Sequence, residues 1–255
     1  MNTQTQKIAL ITGGSRGLGR NTAESLARRG VDSVITYHSR AKEAQAVVAK
    51  LQAQGRKAVA LQLDTGETKT FAGFAEKLKG ILQDIWGRSS FDYLVNNAGI
   101  SHHAAFDKVT EEELDNLYQV HVKGVFFLTQ KLLPLINDGG RIVMLSSGTT
   151  RIIFPGSSAY ASMKGAIEIL ALYLAKELGP RRIAVNTVAP GAIATDFSGG
   201  MVRDKPEVNK IVADMTALGR AGLPDDIGPM IASLLSEDNR WVNAQRIEAS
   251  GGMSI

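Results

Sequence analysis

Tyr160 and Lys164 stand four positions apart near the start of a helical pattern, so they share one helix face. An unperturbed tyrosine gives up its proton only near pH ~10, too high for exchange at neutral pH, but an adjacent ammonium and a helix N-terminus both favour the phenolate. The pair reads as a tuned general acid and base. A surface lysine beside a packed tyrosine has the same spacing. A second segment, Thr12-Gly13-Gly14-Ser15-Arg16-Gly17-Leu18-Gly19, runs from a β-branched apolar stretch into another helical pattern. Its form is T-G-x-x-x-G-x-G, because Thr22 occupies the place of the third glycine of G-x-G-x-x-G. Glycines at such a junction let the backbone turn tightly against a pyrophosphate, whose charge is met by free amides and the helix dipole. Ser147 ends a further apolar run, at the carboxyl edge where sheets of this kind bind ligands.

These residues need a scaffold that holds them at one edge. Short apolar runs at about Lys7 to Thr12, Ser33 to Tyr37, Lys57 to Leu63, Phe91 to Asn96, Gly140 to Ser146, Arg182 to Val188 and Ala244 to Glu248 read as seven strands. They alternate with helical patterns at Gly17 to Arg29, Ala41 to Gln54, Glu67 to Trp86, Glu111 to Asn137, Ser157 to Leu178 and Pro224 to Leu235. That alternation predicts an α/β chain: a doubly wound parallel sheet with helices on both faces. No linker or repeat divides the 255 residues, so one domain is expected over 1–255. Residues 195–222, rich in Gly, Met and charge, read as a mobile substrate flap within it.

Composition narrows the chemistry. The chain has no cysteine, which excludes thiolate nucleophiles, disulfides and Cys-ligated metals. Its net charge is only +4 and contains no Lys/Arg run, so nucleic acid is not an expected partner. The start lacks the regions of a secretory signal and no apolar run approaches ~20 residues, so a cytoplasmic protein with no membrane partner is expected.

Taken together, Thr12 to Gly19, Asn96-Asn97-Ala98-Gly99, Ser147, Tyr160-Ala161-Ser162-Met163-Lys164 and Pro190-Gly191 resemble, in order and over nearly the whole chain, the short-chain dehydrogenase/reductase family. The resemblance implies a single-domain Rossmann fold and a hydride exchanged between a nicotinamide dinucleotide and a carbonyl/alcohol pair. It gives Gly13, Ser15, Arg16, Gly17, Leu18 and Gly19 to the cofactor, Asp64 and Thr65 to its adenine, and Asn97, Ala98 and Gly99 to the adenine side. Pro190, Gly191, Ile193 and Thr195 would flank the nicotinamide, with the Ile193 backbone near the carboxamide. Ser147, thirteen residues before Tyr160, would hold the substrate oxygen; Tyr160 would donate the proton, and Lys164 would hold the nicotinamide ribose.

Charge selects the cofactor. NAD-binding members place an acid at the end of the second strand. Here Tyr37, His38, Ser39 and Arg40 stand there, Asp32 lies at the opposite end, and no carboxylate is expected to repel a 2′-phosphate. Arg16 and Arg40, otherwise solvated, would grip that phosphate, with His38 and Ser39 beside it, so NADP(H) is expected. The chain departs from the family pattern at His121, in Val120-His121-Val122-Lys123-Gly124, where an asparagine ordinarily holds a relay water. It reads either as a core histidine or as a proton relay beside Lys164, with burial and the lysine charge favouring its neutral form.

His102 and His103 have no partners at ligand spacing, so no metal is expected, and both read as pocket-rim or solvated residues. Ile152, Ile153, Phe154 and Met201 read either as an apolar pocket or as loop packing. The expected function is a ketone/carbonyl reductase acting on a small-molecule substrate. The alternatives are a 3-oxoacyl-acyl-carrier-protein reductase, with Arg151 or Lys205 meeting the carrier, and a non-catalytic dinucleotide sensor. By resemblance, a homotetramer would form through the Tyr-bearing helix, whose apolar stripe is Ala166, Ile169, Leu170 and Tyr173, and through the last strand.

Overall fold

The computed structural model describes residues 6–255. The chain runs β1 (Ile8–Ile11), α1 (Gly17–Arg28), β2 (Asp32–Tyr37), α2 (Ala41–Ala53), β3 (Ala58–Gln62), α3 (Phe71–Trp86), β4 (Phe91–Asn96), α4 (Glu111–Tyr118), α5 (Gly124–Leu132), β5 (Ile136–Leu145), α6 (Ser158–Glu177), β6 (Ala184–Pro190), α7 (Met201–Asp204), α8 (Pro206–Asp214), α9 (Pro224–Leu234) and β7 (Arg246–Ala249). All seven strands pair in parallel, in the order β3-β2-β1-β4-β5-β6-β7. Successive residues of a strand face opposite ways, and each face here has its own apolar core. Ile8 and Leu10, with Leu94 and Ile142, meet Leu78 of α3, Leu128 of α5 and Ile167 of α6. Ala9 and Ile11, with Val95 and Val143, meet Leu26 of α1, Val47 of α2 and Ile231 of α9. A strand covered on both sides has to be apolar at every position, which is why these strands read as unbroken hydrophobic runs.

The expected helix Glu111 to Asn137 carries a π-helical turn at Gln119–Lys123 through which its backbone stays helical, and it ends early, in a 3₁₀ turn, Leu133–Leu135, from which the chain enters β5 at Ile136. Pro134 has no amide hydrogen to continue the helix, and a β-carbon on Gly124 would overlap the Thr65 carbonyl, so α5 begins in close contact with the loop after β3. β6 and β7 begin later than expected because Arg182 and Ala244 adopt left-handed φ of 56° and 58°, outside the extended region. Residues 195–222 contain a 3₁₀ turn followed by α7 and α8, seated by Val212 and Ala221 against Ile152 and Met253. Among the described residues no helix is long and apolar enough to cross a membrane.

The strand order reverses between β1 and β4, and the loops after β1, β4, β5 and β6 meet at that carboxyl edge, where an open α/β sheet has its binding crevice.

Candidate active site

The loops after β1 and β4 are tied to each other, and the first of them to β2. Thr12 Oγ1 accepts from the amides of Asn97 and Ala98 at 2.9 Å each, and Asn97 Nδ2 donates to the carbonyls of Thr12 (2.8 Å) and Gly13 (3.2 Å). Gly14 donates to the Thr36 carbonyl at 2.8 Å. A β-carbon on Gly19 would overlap the Gly13 carbonyl, and Gly13 itself has a φ of 66°, so this cradle exists only with glycine at both positions. No side chain caps the N-terminus of α1 and no acid stands in its first turn, which leaves it suited to a phosphate. Ser15 is buried in the cradle, and Leu18 packs partly buried beneath it.

Ser147 stands at the end of β5. Its Oγ accepts from the Thr149 amide (3.2 Å) and hydroxyl (3.0 Å), and it stands close enough to the Tyr160 phenol to lower its pKa. Burial pushes the Tyr160 phenol well above its ordinary value, with Ser147 acting the other way. Lys164 Nζ lies 5.6 Å from the Tyr160 ring centre and donates to the Leu145 carbonyl at 2.7 Å; burial lowers its pKa to about 8. Lys164 is held on a backbone carbonyl in this arrangement, and burial is the larger influence on the phenol. Thr195 is buried against the cradle near Gly17, and Ile193 bridges to Gly222, so the loop after β6 closes the far side.

A family described as enoyl-(acyl carrier protein) reductase matches residues 13–254. The chain is 39% identical over 249 residues to an uncharacterized oxidoreductase of Methylorubrum extorquens, covering 97% of each, and 35% identical to a short-chain dehydrogenase/reductase of Pestalotiopsis microspora, covering 96% and 94%. The chain belongs to the short-chain dehydrogenase/reductase family. Its fold superposes on the angucycline C-6 ketoreductase LanV, a structure with bound NADP, with a TM-score of 0.92 at 36% identity over 97% of this chain and 95% of that one.

In this short-chain dehydrogenase/reductase His121 lies on the π-helical turn and is fully buried. Its Nε2 sits 2.8 Å from the Ile100 carbonyl and 3.3 Å from the Ile100 amide; the shorter contact favours a proton on Nε2, and Nδ1 then has no partner among the described residues. The ring meets Tyr160 edge to face at 5.4 Å and fills the space where a side chain on Gly99 would be. Burial first, then the Lys164 charge, lower its pKa to about 3 against the pull of the Ile100 carbonyl, so it stays neutral at working pH.

Arg16 and Arg40, expected at a 2′-phosphate, both act on the Glu43 carboxylate, Arg40 by direct pairing and Arg16 through its charge. Arg16 reaches Asp196 at 3.3 Å, Arg40 reaches Glu43 at 2.9 Å, and His38 lies 3.3 Å from Asp64; Ser39 is exposed. Tyr37, not an acid, ends β2; Glu43, in the first turn of α2, pairs with Arg40, and its own backbone amide and Arg40 hold it below the usual carboxylate range. Asp64 also accepts from the Gly66 amide, and Thr65 borders α5. Pro190 and Gly191 pack against Gly148 and Ser250.

At the rim, His102 is mostly buried and faces Glu113 at 3.3 Å, while His103 packs over Gly156. Among the described residues no group of three or more His, Cys, Asp or Glu is arranged to hold a metal. Ile152 is loop packing, whereas Ile153 is exposed. Sequence reasoning missed Phe197, whose ring leans on Tyr160 at 6.1 Å, and Asp196, shared by Arg16 and Arg203. Neither residue belongs to a motif, and only the fold brings them to the site.

Proposed function

We propose that this chain is an NADPH-dependent ketone reductase that converts a carbonyl to a secondary alcohol. The observation that carries the reading is the Ser147–Tyr160–Lys164 arrangement: a phenol kept protonated by burial, beside a serine whose oxygen already accepts two donors, at the edge of a glycine cradle. The cradle fits a dinucleotide, since glycine is obligatory in it and the helix start beneath it is uncapped. NADPH is the cofactor class supported by Arg16 and Arg40, by a neutral Tyr37 at the end of β2, and by the likeness to a ketoreductase with bound NADP.

When bound, the nicotinamide supplies a hydride to the carbonyl carbon. Ser147 and Tyr160 hydrogen-bond the carbonyl oxygen, and as negative charge builds there the Tyr160 proton transfers to it. A phenol of raised pKa is fully protonated beforehand, which suits the reducing direction. Lys164, close to the phenol, would support its return to the neutral form and would hold the nicotinamide ribose of a bound dinucleotide. His121, neutral throughout, holds the loop after β4 and offers Nδ1 to a relay water. Arg151 and Lys205 are exposed, as a carrier-protein reductase would need, and Ala166, Ile169 and Tyr173 of α6 are exposed as a tetramer interface would need.

The test is cofactor oxidation with NADPH and NADH over a panel of free ketones and a carrier-linked 3-oxoacyl substrate. Turnover of free ketones with NADPH preferred is the expected result. Turnover of the carrier-linked substrate alone would favour the acyl-carrier reading, and binding of NADPH without any turnover would favour a sensor.

A further inference from the structure

Tyr160 and Lys164 are the first two members of a longer row on α6. Glu168 is one turn further, on the same face, and the three side chains meet successive groups at the end of β5: Tyr160 meets Ser147, Lys164 meets the Leu145 carbonyl, and Glu168 meets Ser146. One carboxylate oxygen, Glu168 Oε1, accepts from Ser146 Oγ at 2.7 Å, Thr150 Oγ1 at 2.8 Å and Arg246 Nε at 2.7 Å. Arg246, on β7, also donates to Thr150 Oγ1 at 2.9 Å, to the Ser147 carbonyl at 3.4 Å, and to Glu248 at 2.9 Å. Only 11% of the Arg246 side chain and 19% of that of Glu168 is exposed. Neither residue touches the Ser147 hydroxyl.

The Ser146–Thr150 turn is otherwise held mostly by bonds within itself, such as Thr150 Oγ1 to the Ser147 carbonyl at 3.0 Å, and by the Ser146 amide on the Val188 carbonyl at 2.8 Å. Gly148 is its one fully buried residue beyond Ser146, and Thr149 turns its own hydroxyl back onto Ser147. The ion pair grips the turn at Ser146, at the Ser147 backbone and at Thr150. Ions removed from water are costly, and such a pair is tolerable only where its hydrogen bonds are filled, as they are here. We propose that Glu168 and Arg246 are positioning residues that lock the Ser146–Thr150 turn and so set the reach of the Ser147 hydroxyl toward the substrate oxygen. This rests on the reductase reading for its catalytic consequence, but the locking of the turn does not.

The test is a double-mutant cycle with two readouts. Arg246→Ala should lower kcat for a ketone by about 10²-fold, the scale for a misplaced reacting group, with NADPH affinity within about twofold of wild type. In a Ser147→Ala background the same change should cost less than about twofold in kcat, because the serine it positions is gone. Glu168→Gln, which keeps the shape and an accepting oxygen, should retain more activity than Glu168→Ala. In hydrogen exchange, Arg246→Ala should accelerate the Ser146 to Ile152 amides while leaving those of Gly13 to Gly19 and Tyr160 to Lys164 unchanged. An equal kcat loss in both backgrounds, or exchange that accelerates everywhere or nowhere, would overturn the proposal. If the wild type reduces no ketone, the reductase reading falls, and exchange alone decides whether the pair locks the turn.

Discussion

His121→Leu tests the electrostatics of the site through folding stability, without requiring turnover. In the native protein the imidazole is buried, donates from Nε2 to the Ile100 carbonyl, and has its pKa lowered from 6.5 to about 3. The unfolded chain therefore binds a proton near pH ~6.5 that the folded chain refuses until about pH 3, so stability is fully present above ~6.5 and is lost as pH falls toward 3. Between about pH 8 and about pH 5 this single group removes about 2 kcal/mol of stability. Leucine cannot titrate, so the variant should lose about 2 kcal/mol less than wild type over that interval. Leucine also leaves the Ile100 carbonyl unpaired, a cost of about 1–3 kcal/mol that is the same at both pH values and so separates from the pH effect. Urea unfolding at the two pH values, at fixed protomer concentration, measures both quantities. Parallel stability losses in wild type and variant would mean that His121 accepts a proton readily in the fold, and the neutral-imidazole account would be wrong.

Tyr160→Phe should lower kcat by about 10²–10⁴-fold with NADPH affinity retained, since it removes the transferable proton but not the ring; near-native turnover would remove Tyr160 from the acid role. His121→Asn should leave the shape of the kcat pH profile unchanged above about pH 5, because the imidazole it replaces does not titrate there; a shifted profile would place the imidazole in the proton traffic. Replacing Arg16 and Arg40 by Ala should weaken NADPH by about 1.5 kcal/mol or more per arginine and NADH much less, measured by fluorescence titration. Glu43→Gln should tighten NADPH about twofold to fivefold by freeing Arg40, the scale of an exposed ion pair; unchanged affinity would mean Arg40 does not meet the phosphate.

What the sequence revealed was local. The glycine turn, the tyrosine and lysine one turn apart, and the unbroken apolar strands each depend on neighbours close in the chain, and the seven-stranded parallel sheet followed from their alternation. What it concealed depends on meetings between distant segments. Glu43 pairs with Arg40 across the first turn of α2, and Arg16 reaches Asp196, 180 positions away. Spacing placed Lys164 beside Tyr160 but could not show how deeply the phenol is buried, which is the larger influence on it. The π-helical turn of the central helix was hidden because it and its flanking helices share one apolar periodicity, while the approach of Gly124 to the Thr65 carbonyl lies across the fold.

The tie between Thr12 and Asn97 spans 85 positions, and it joins the two strands between which the sheet changes direction. β1, β2 and β3 follow one another in the chain and pair through short crossovers, whereas β4 has to return past both to lie on the free side of β1. Long-range pairings of this kind are slow, because chain entropy is lost before any contact repays it. The glycine cradle is thus completed in the same step that joins the two halves of the sheet. During refolding, dinucleotide binding should rise together with the slowest recovery of native structure and should be absent from any earlier compact state. Ligand binding then serves as a clock for the moment at which the two halves become one sheet.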